Sequence, residues 1–176
     1  MIGTLHKRQV ERVETEGQKL VGLVAPYDRE TNIGGGRERI ARGAFERTLS
    51  SDDEVLCLAD HDASKLLGRR SVGTLRLTDT DEGLGFEVEL PDTQLGRDVR
   101  ALAKRGDLGG MSFGFLIPKG GERRDGNVRV LTEIDLREVS VVSAWPAYDG
   151  TRVEARRWHL GNSRNTGRTP HFLRWR

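Results

Sequence analysis

The stretch GTLRLTDTDEGLGFEVEL, residues 73–90, most constrains how this chain of 176 residues can fold. Apolar residues alternate with polar ones on both sides of the turn sequence TDEG, and they are Leu75, Leu77, Phe86, Val88 and Leu90. Because successive side chains of a strand point to opposite faces, the alternation predicts an antiparallel hairpin with one buried face. A domain built around such a hairpin is rich in β-structure.

One helix is predicted as clearly as the hairpin. Residues 94–105 place their apolar side chains on one helical face, Asp92 or Thr93 can cap the start, and Gly106 is suited to the end. Shorter patterns predict a helix at 44–50 and strands at 19–25, 54–59, 112–117, 128–134 and 138–142. The sum is an α+β, β-rich domain, for which a small β-barrel flanked by helices is favoured over a doubly wound sheet.

The charge distribution divides the chain into a body and a tail. Residues 155–176 carry six of the 29 basic residues and none of the 27 acidic ones, although the net charge is only +2. We expect an N-terminal extension at 1–18, a folded domain at 19–154 and a basic, flexible tail at 155–176. Such a tail contacts nucleic acid or an acidic protein surface, or is simply solvated.

Composition excludes several classes of protein. The single cysteine, Cys57, allows no internal disulfide and no multi-cysteine zinc site. No apolar run approaches the roughly 18 residues that span a bilayer, and the N-terminus lacks the apolar segment of a secretory signal. We therefore expect a cytoplasmic protein without a membrane partner.

Ser112 lies in GMSFG, which formally matches the G-x-S-x-G pattern of a nucleophile elbow. An elbow needs a strand before the serine and a helix directly after it. Here a predicted helix and a loop come before Ser112, and an alternating, strand-like segment follows it. The only histidines downstream, His159 and His171, lie in the basic tail. The match to the elbow pattern is therefore accidental.

His61 lies in the sequence Asp60-His61-Asp62, at the predicted end of a strand, where functional side chains are common. A metal site in this segment is the weaker interpretation, because no second histidine lies at ligand spacing. A serine activated by His61 also needs a group that orients the imidazole. Glu138, which opens the predicted strand EVSVV, is one of several acids that could serve, and spacing alone does not select it.

A series of motifs resembles the prohead maturation proteases of tailed phages, which are distant relatives of the herpesvirus protease assemblin. In order, these motifs are GLVAPYD, RGAF, DHD, LGR, GTLRL, EGLGFEVELPDT, GRDV, RGDLGGMSFGF and LREVSVVSAWPAY. The resemblance covers roughly residues 20–154. It implies a serine endopeptidase on an assemblin-like closed β-barrel flanked by helices, acting inside the assembling prohead in the host cytoplasm.

By this resemblance the catalytic serine is Ser112 and the catalytic histidine is His61. Glu138 takes the place of the second histidine of assemblin-type enzymes, and Asp135 competes for that role on the same segment. No cofactor and no metal are expected. Backbone N–H donors for the oxyanion could come from Gly109-Gly110 or from the segment after Glu138.

The resemblance also implies partners. The expected substrates are the major capsid protein, scaffold segments and the protease itself, and the herpesvirus relatives suggest a homodimer. The basic tail would dock on the capsid interior or on nucleic acid. Two rival interpretations are a non-catalytic β-barrel module for capsid assembly or nucleic-acid binding, and a metal hydrolase at Asp60-His61-Asp62.

Overall fold

The computed structural model describes residues 14–16, 18–32, 36–143 and 156–158. Its helices are α1 (Glu46–Ser50) and α2 (Gln94–Arg105). Its strands are β1 (Glu14–Glu16), β2 (Lys19–Pro26), β3 (Thr31–Asn32), β4 (Arg37–Ile40), β5 (Leu56–Ala59), β6 (Asp62–Arg69), β7 (Leu75–Asp79), β8 (Gly83–Glu89), β9 (Gly110–Leu116), β10 (Glu122–Asp125), β11 (Val128–Leu131), β12 (Asp135–Val142) and β13 (Arg156–Trp158). The α+β, β-rich class is confirmed.

The hairpin that the sequence predicted is the pair β7–β8, with Leu75 opposite Val88 and Leu77 opposite Phe86. Strand β8 also pairs with β2, and β2 with β1, which makes a four-stranded antiparallel sheet in the order β1-β2-β8-β7. Four of the five apolar positions of the hairpin are buried, with Leu75 and Val88 almost fully enclosed, and Leu77 is partly buried against the same cluster.

A second sheet has the order β10-β11-β4-β3, and a third has the order β13-β9-β12-β5-β6. In the third sheet, β12 pairs antiparallel with β9 and parallel with β5. The main apolar cluster combines residues of β2, β8, β5, β9 and β12, and β2 lies against β9. Three phenylalanine rings pack in this cluster: Phe45 and Phe113 meet edge to face with centroids 6.0 Å apart, and Phe113 stacks on Phe115 with centroids 5.2 Å apart.

The closed barrel is not found. Within the described residues the chain forms three separate sheets, and none of them closes on itself. The first and third sheets meet where β2 lies against β9, but no hydrogen-bonded ladder joins these two strands. Side-chain packing, rather than a continuous ladder, therefore connects the sheets there.

Helix α2 has the predicted bounds and caps. Thr93 accepts a hydrogen bond on its side chain from the Gly96 N–H at 3.2 Å, and Gly106 ends the helix in the left-handed region at a φ of 75°. By contrast, no strand was predicted between 117 and 128, whereas Glu122–Asp125 form the fully exposed strand β10. Its sequence ERRD has no apolar alternation, so the strand depends on its pairing with β11.

Most of the basic tail and of the N-terminal extension lies outside the described residues. Arg156–Trp158 is described as β13, whose backbone pairs in parallel with Gly114–Leu116 of β9. The predicted domain bounds at 18 and 154, and the flexibility of the tail, stay predictions. No helix in the described part of the chain is long and apolar enough to span a membrane.

Candidate active site

Two strands and one turn of the third sheet carry the residues that the sequence singled out. Ser112 lies on β9, Glu138 lies on β12, and His61 lies in the two-residue turn that joins β5 to β6. The absence of a helix directly after Ser112 confirms that it is not on a nucleophile elbow.

Strand register places Ser112 and Glu138 on one face of the sheet. Ser112 pairs with Ser140, and Gly114 pairs with Glu138. Directly opposed residues of an antiparallel pair share a face, and so do residues two apart on one strand. The opposite face of the same strands belongs to the apolar cluster, through Val139 and Val141. The sheet thus has one apolar face and one face with the polar candidates.

His61 is bound to β12 at two points. Its backbone N–H donates to Ser140 Oγ at 3.3 Å, and its ring Nδ1 lies 2.6 Å from Glu138 Oε1. The side chains of His61 and Glu138 are 16% and 14% exposed, so the contact is largely shielded from water. With an ionised Glu138, Nδ1 carries the proton and donates it, which leaves the lone pair of Nε2 free to accept another proton.

Ser140 completes the support of Glu138. Its hydroxyl donates to Glu138 Oε2 at 2.5 Å, and its Oγ also accepts the His61 backbone N–H. Ser140 is fully buried, so a lost partner would leave an unsatisfied polar group at a cost of about 1–3 kcal/mol. Sequence reasoning missed this residue, although its position two residues after Glu138 in EVSVV places both on one face of a strand.

Ser112 is 8% exposed and lies directly across the strand pair from Ser140. Directly opposed residues have Cβ atoms about 4.5–5.5 Å apart. The Ser112 side chain is therefore a direct neighbour of Ser140, which accepts the backbone N–H of His61. Among the described residues, no hydrogen bond of the Ser112 hydroxyl is found. Catalytic hydrogen bonds are often long in structures without substrate and shorten on binding.

Asp135, the competing acid, contacts a different part of the molecule. Its carboxylate lies 3.5 Å from Arg47 Nε of α1 and 3.8 Å from Arg137. A register irregularity between Leu136 and Glu138 separates the two acids along β12. Of the two candidates, Glu138 is therefore the acid that contacts His61.

The side chains of Asp60-His61-Asp62 do not converge on one point. Asp60 accepts hydrogen bonds from Ser143, whereas Asp62 accepts them from Ser64, which lowers the pKa of the Asp62 carboxyl. His61 turns instead to Glu138. In the part of the chain that the structure describes, no group of three metal-binding side chains is found.

Gly109-Gly110, one of the two proposed sources of N–H donors for the oxyanion, already uses one of its N–H groups in the sheet. The Gly109 N–H already donates to the Val142 carbonyl at 2.8 Å. Residues 144–155 lie outside the described residues, so the other source, the segment after Glu138, stays a prediction.

Cys57 lies on β5 beside the site and is fully buried. Burial, and to a smaller extent the negative charge of Glu138, raises the pKa of the Cys57 thiol to about 12. A thiol with so high a pKa is almost entirely protonated at neutral pH, and the protonated form is a poor nucleophile. Ser112 is thus the better placed nucleophile.

A buried serine, an imidazole and a carboxylate that share one sheet face are the groups used by serine hydrolases. The family model described as caudovirus prohead serine protease matches residues 4–165. The chain therefore belongs to this family of phage serine proteases, which act in prohead maturation inside the host cell, and the resemblance of its motifs is confirmed. No curated protein and no solved structure matches the chain.

Gly114 leaves the space that the Glu138 side chain fills. A Cβ atom at this position would lie 2.6 Å from Glu138 Oε1 and 3.1 Å from its Cγ. We predict that Gly114→Ala displaces the Glu138 carboxylate from His61 and lowers kcat for a peptide substrate by about 10²-fold, the loss that a misplacement near 1 Å can cause. Hydrolysis rates and the melting temperature of the variant would be measured together.

The control is Gly85→Ala, also on a strand, where the nearest atom to an added Cβ lies at 3.4 Å. This variant should keep normal kcat. Equal activity of Gly114→Ala and the wild-type enzyme would contradict the tight fit of Glu138 against β9.

Proposed function

We propose that the chain cleaves capsid-protein and scaffold segments with Ser112 as nucleophile, His61 as general base and acid, and Glu138 as the group that orients the imidazole. The observation that carries the proposal is the 2.6 Å contact of His61 Nδ1 with Glu138, on the same sheet face as the buried Ser112. Family membership supports the reaction class, and the geometry supports the choice of residues.

In the first half of the reaction, His61 Nε2 accepts the hydroxyl proton of Ser112, and Oγ attacks the carbonyl carbon of the scissile peptide bond. The resulting tetrahedral intermediate collapses as the imidazolium gives its proton to the leaving nitrogen. The C–N bond breaks, the new amine leaves, and the acyl group stays on Ser112.

In the second half, His61 takes a proton from water, and the hydroxide oxygen attacks the acyl carbon. The proton then returns to Ser112 Oγ as the ester bond breaks, which releases a carboxylic acid and restores the enzyme. Glu138 stabilises the imidazolium that forms in both halves. Because Glu138 is held by Ser140 and is little exposed, its charge acts through a shielded contact.

The family context supports substrates within the assembling prohead, namely the major capsid protein, scaffold segments and the chain itself. We also propose a homodimer and docking of the basic tail on the capsid interior or nucleic acid, supported by the herpesvirus resemblance and by the six arginines of residues 155–176. Closure of the sheets into an assemblin-like barrel is part of the same proposal.

Ser112→Ala and His61→Ala should each abolish cleavage of the matching capsid protein, because each removes one half of the proton-transfer pair. The double variant should be little worse than either one, since residues that act as a unit show non-additive losses. Mass spectrometry of capsid protein incubated with each variant measures the products, and circular dichroism checks the fold.

Ser64→Ala is the control, since Ser64 is exposed and its hydroxyl bonds to Asp62, away from the three proposed catalytic residues. It should cleave normally. Normal cleavage by folded Ser112→Ala would overturn the assignment of the nucleophile. Uncleaved capsid protein with every form of the chain, the wild type included, would favour a non-catalytic assembly module.

Glu138→Gln should lower kcat by about 10²–10⁴-fold, because an amide that donates to Nδ1 favours the wrong imidazole tautomer. Asp135→Asn should leave kcat nearly unchanged, since Asp135 faces Arg47 and not His61. Steady-state kinetics of the two variants on one peptide decide the matter. A collapse in Asp135→Asn with full activity in Glu138→Gln would transfer the role to Asp135.

A further inference from the structure

The turn that presents His61 has an unusual backbone. Asp60 and His61 have φ values of 53° and 58°, and Ala59 and Asp62 on either side pair with each other. Positive φ at both central residues is the geometry of a type I′ turn, which normally uses Asn-Gly or Gly-Gly. Of the non-glycine residues that the structure describes, only Asp28 shares a positive φ with this pair.

The Asp60 carboxylate ties this turn to the end of β12. One oxygen accepts the Ser143 backbone N–H at 2.8 Å, and the other accepts the Ser143 hydroxyl at 3.1 Å. The Asp60 N–H donates to the Val141 carbonyl at 2.9 Å. The backbone and the side chain of Asp60 thus both bind the turn to β12, the strand that carries Glu138, or to the residue directly after it.

We propose that Asp60 is a positioning residue, whose double hydrogen bond to Ser143 sets the distance between the His61 ring and Glu138. The inference rests on the proposed role of His61 as general base. Asp60 does not reach the imidazole and acts only through the backbone of the turn. Its carboxylate counteracts the tendency of two non-glycine residues to leave the left-handed region.

A purely structural role makes a different prediction from a positioning role. Glycine adopts the left-handed region without steric cost, so Asp60→Gly relieves the backbone while it removes the carboxylate. If Asp60 only allowed the turn to form, Asp60→Gly would be neutral. If its carboxylate positions His61, Asp60→Gly folds normally and loses activity.

Asparagine provides the rescue variant. Its side-chain oxygen can accept the Ser143 N–H, its amide can donate to the Ser143 hydroxyl, and Asn tolerates positive φ. Asp62→Asn is the matched control, because the neighbouring Asp62 carboxylate bonds to Ser64 outside this contact.

The experiment combines proton NMR with kinetics on the full chain. The hydrogen-bonded Nδ1–H of His61 should give a downfield resonance that disappears in Glu138→Gln. We expect Asp60→Gly to weaken or remove this resonance and to lower kcat about tenfold or more with little change in KM. Asp60→Asn and Asp62→Asn should keep both the resonance and kcat.

The proposal is overturned if folded Asp60→Gly keeps the resonance and normal kcat, or if Asp60→Asn is as impaired as Asp60→Gly. The NMR readout does not depend on catalysis. A resonance lost in Asp60→Gly together with full activity of His61→Ala would therefore refute the proposed function and leave the positioning role of Asp60 intact.

Discussion

The antiparallel pairing of β9 with β12 is the interaction on which both the core and the candidate site depend. It sets Ser112 opposite Ser140 and Gly114 opposite Glu138. The parallel pairing of β12 with β5 then brings the end of β5, and with it the turn of His61, to the same strand. One central strand thus fixes the relative positions of all three proposed catalytic groups.

One face of β12 packs into the apolar core, and the other carries the hydrogen-bonded groups of the candidate site. Val139 and Val141 pack into the apolar cluster, where they are almost fully buried, and this packing holds the strand in place. On the other face, Ser140 is equally buried but has partners in His61 and Glu138. A buried polar network of this kind stabilises a defined geometry only when every member is satisfied. The rigid core therefore supports a polar site that tolerates little displacement.

Local patterns were enough to predict the parts of the fold that depend on neighbours in sequence. The hairpin β7–β8 and helix α2 follow from alternation, turn residues and caps, and both agree with the structure. Strand β10 was missed because the exposed sequence ERRD has no periodicity, and only its pairing with β11 makes it a strand. The expected closed barrel was also not found among the described residues. Local sequence patterns predict single strands and hairpins, but they do not show whether a hydrogen-bonded ladder continues from one sheet to the next.

In the candidate site, too, local motifs predicted some residues, whereas others depend on long-range contacts. Ser112 and His61 could be singled out from their motifs, but the choice between Glu138 and Asp135 could not, because both lie on one short segment. That choice depends on the contact of Glu138 with His61, which lies 77 residues away, and on the irregularity in β12. Long-range register of this kind leaves no signal in residue spacing. The space at Gly114 was missed for the same reason, whereas the spacing of Ser140, two residues after Glu138, was a local signal that sequence reasoning did not use.

Covalent labelling with a fluorophosphonate, a reagent specific for activated serine hydroxyls, tests the central claim most directly. Peptide mapping by mass spectrometry would locate the adduct on the intact chain. A hydroxyl activated by His61 and Glu138 should give a single adduct on Ser112, and labelling should fall sharply in His61→Ala. An adduct on another serine, or no adduct on a chain that cleaves its capsid protein, would contradict Ser112 as the nucleophile.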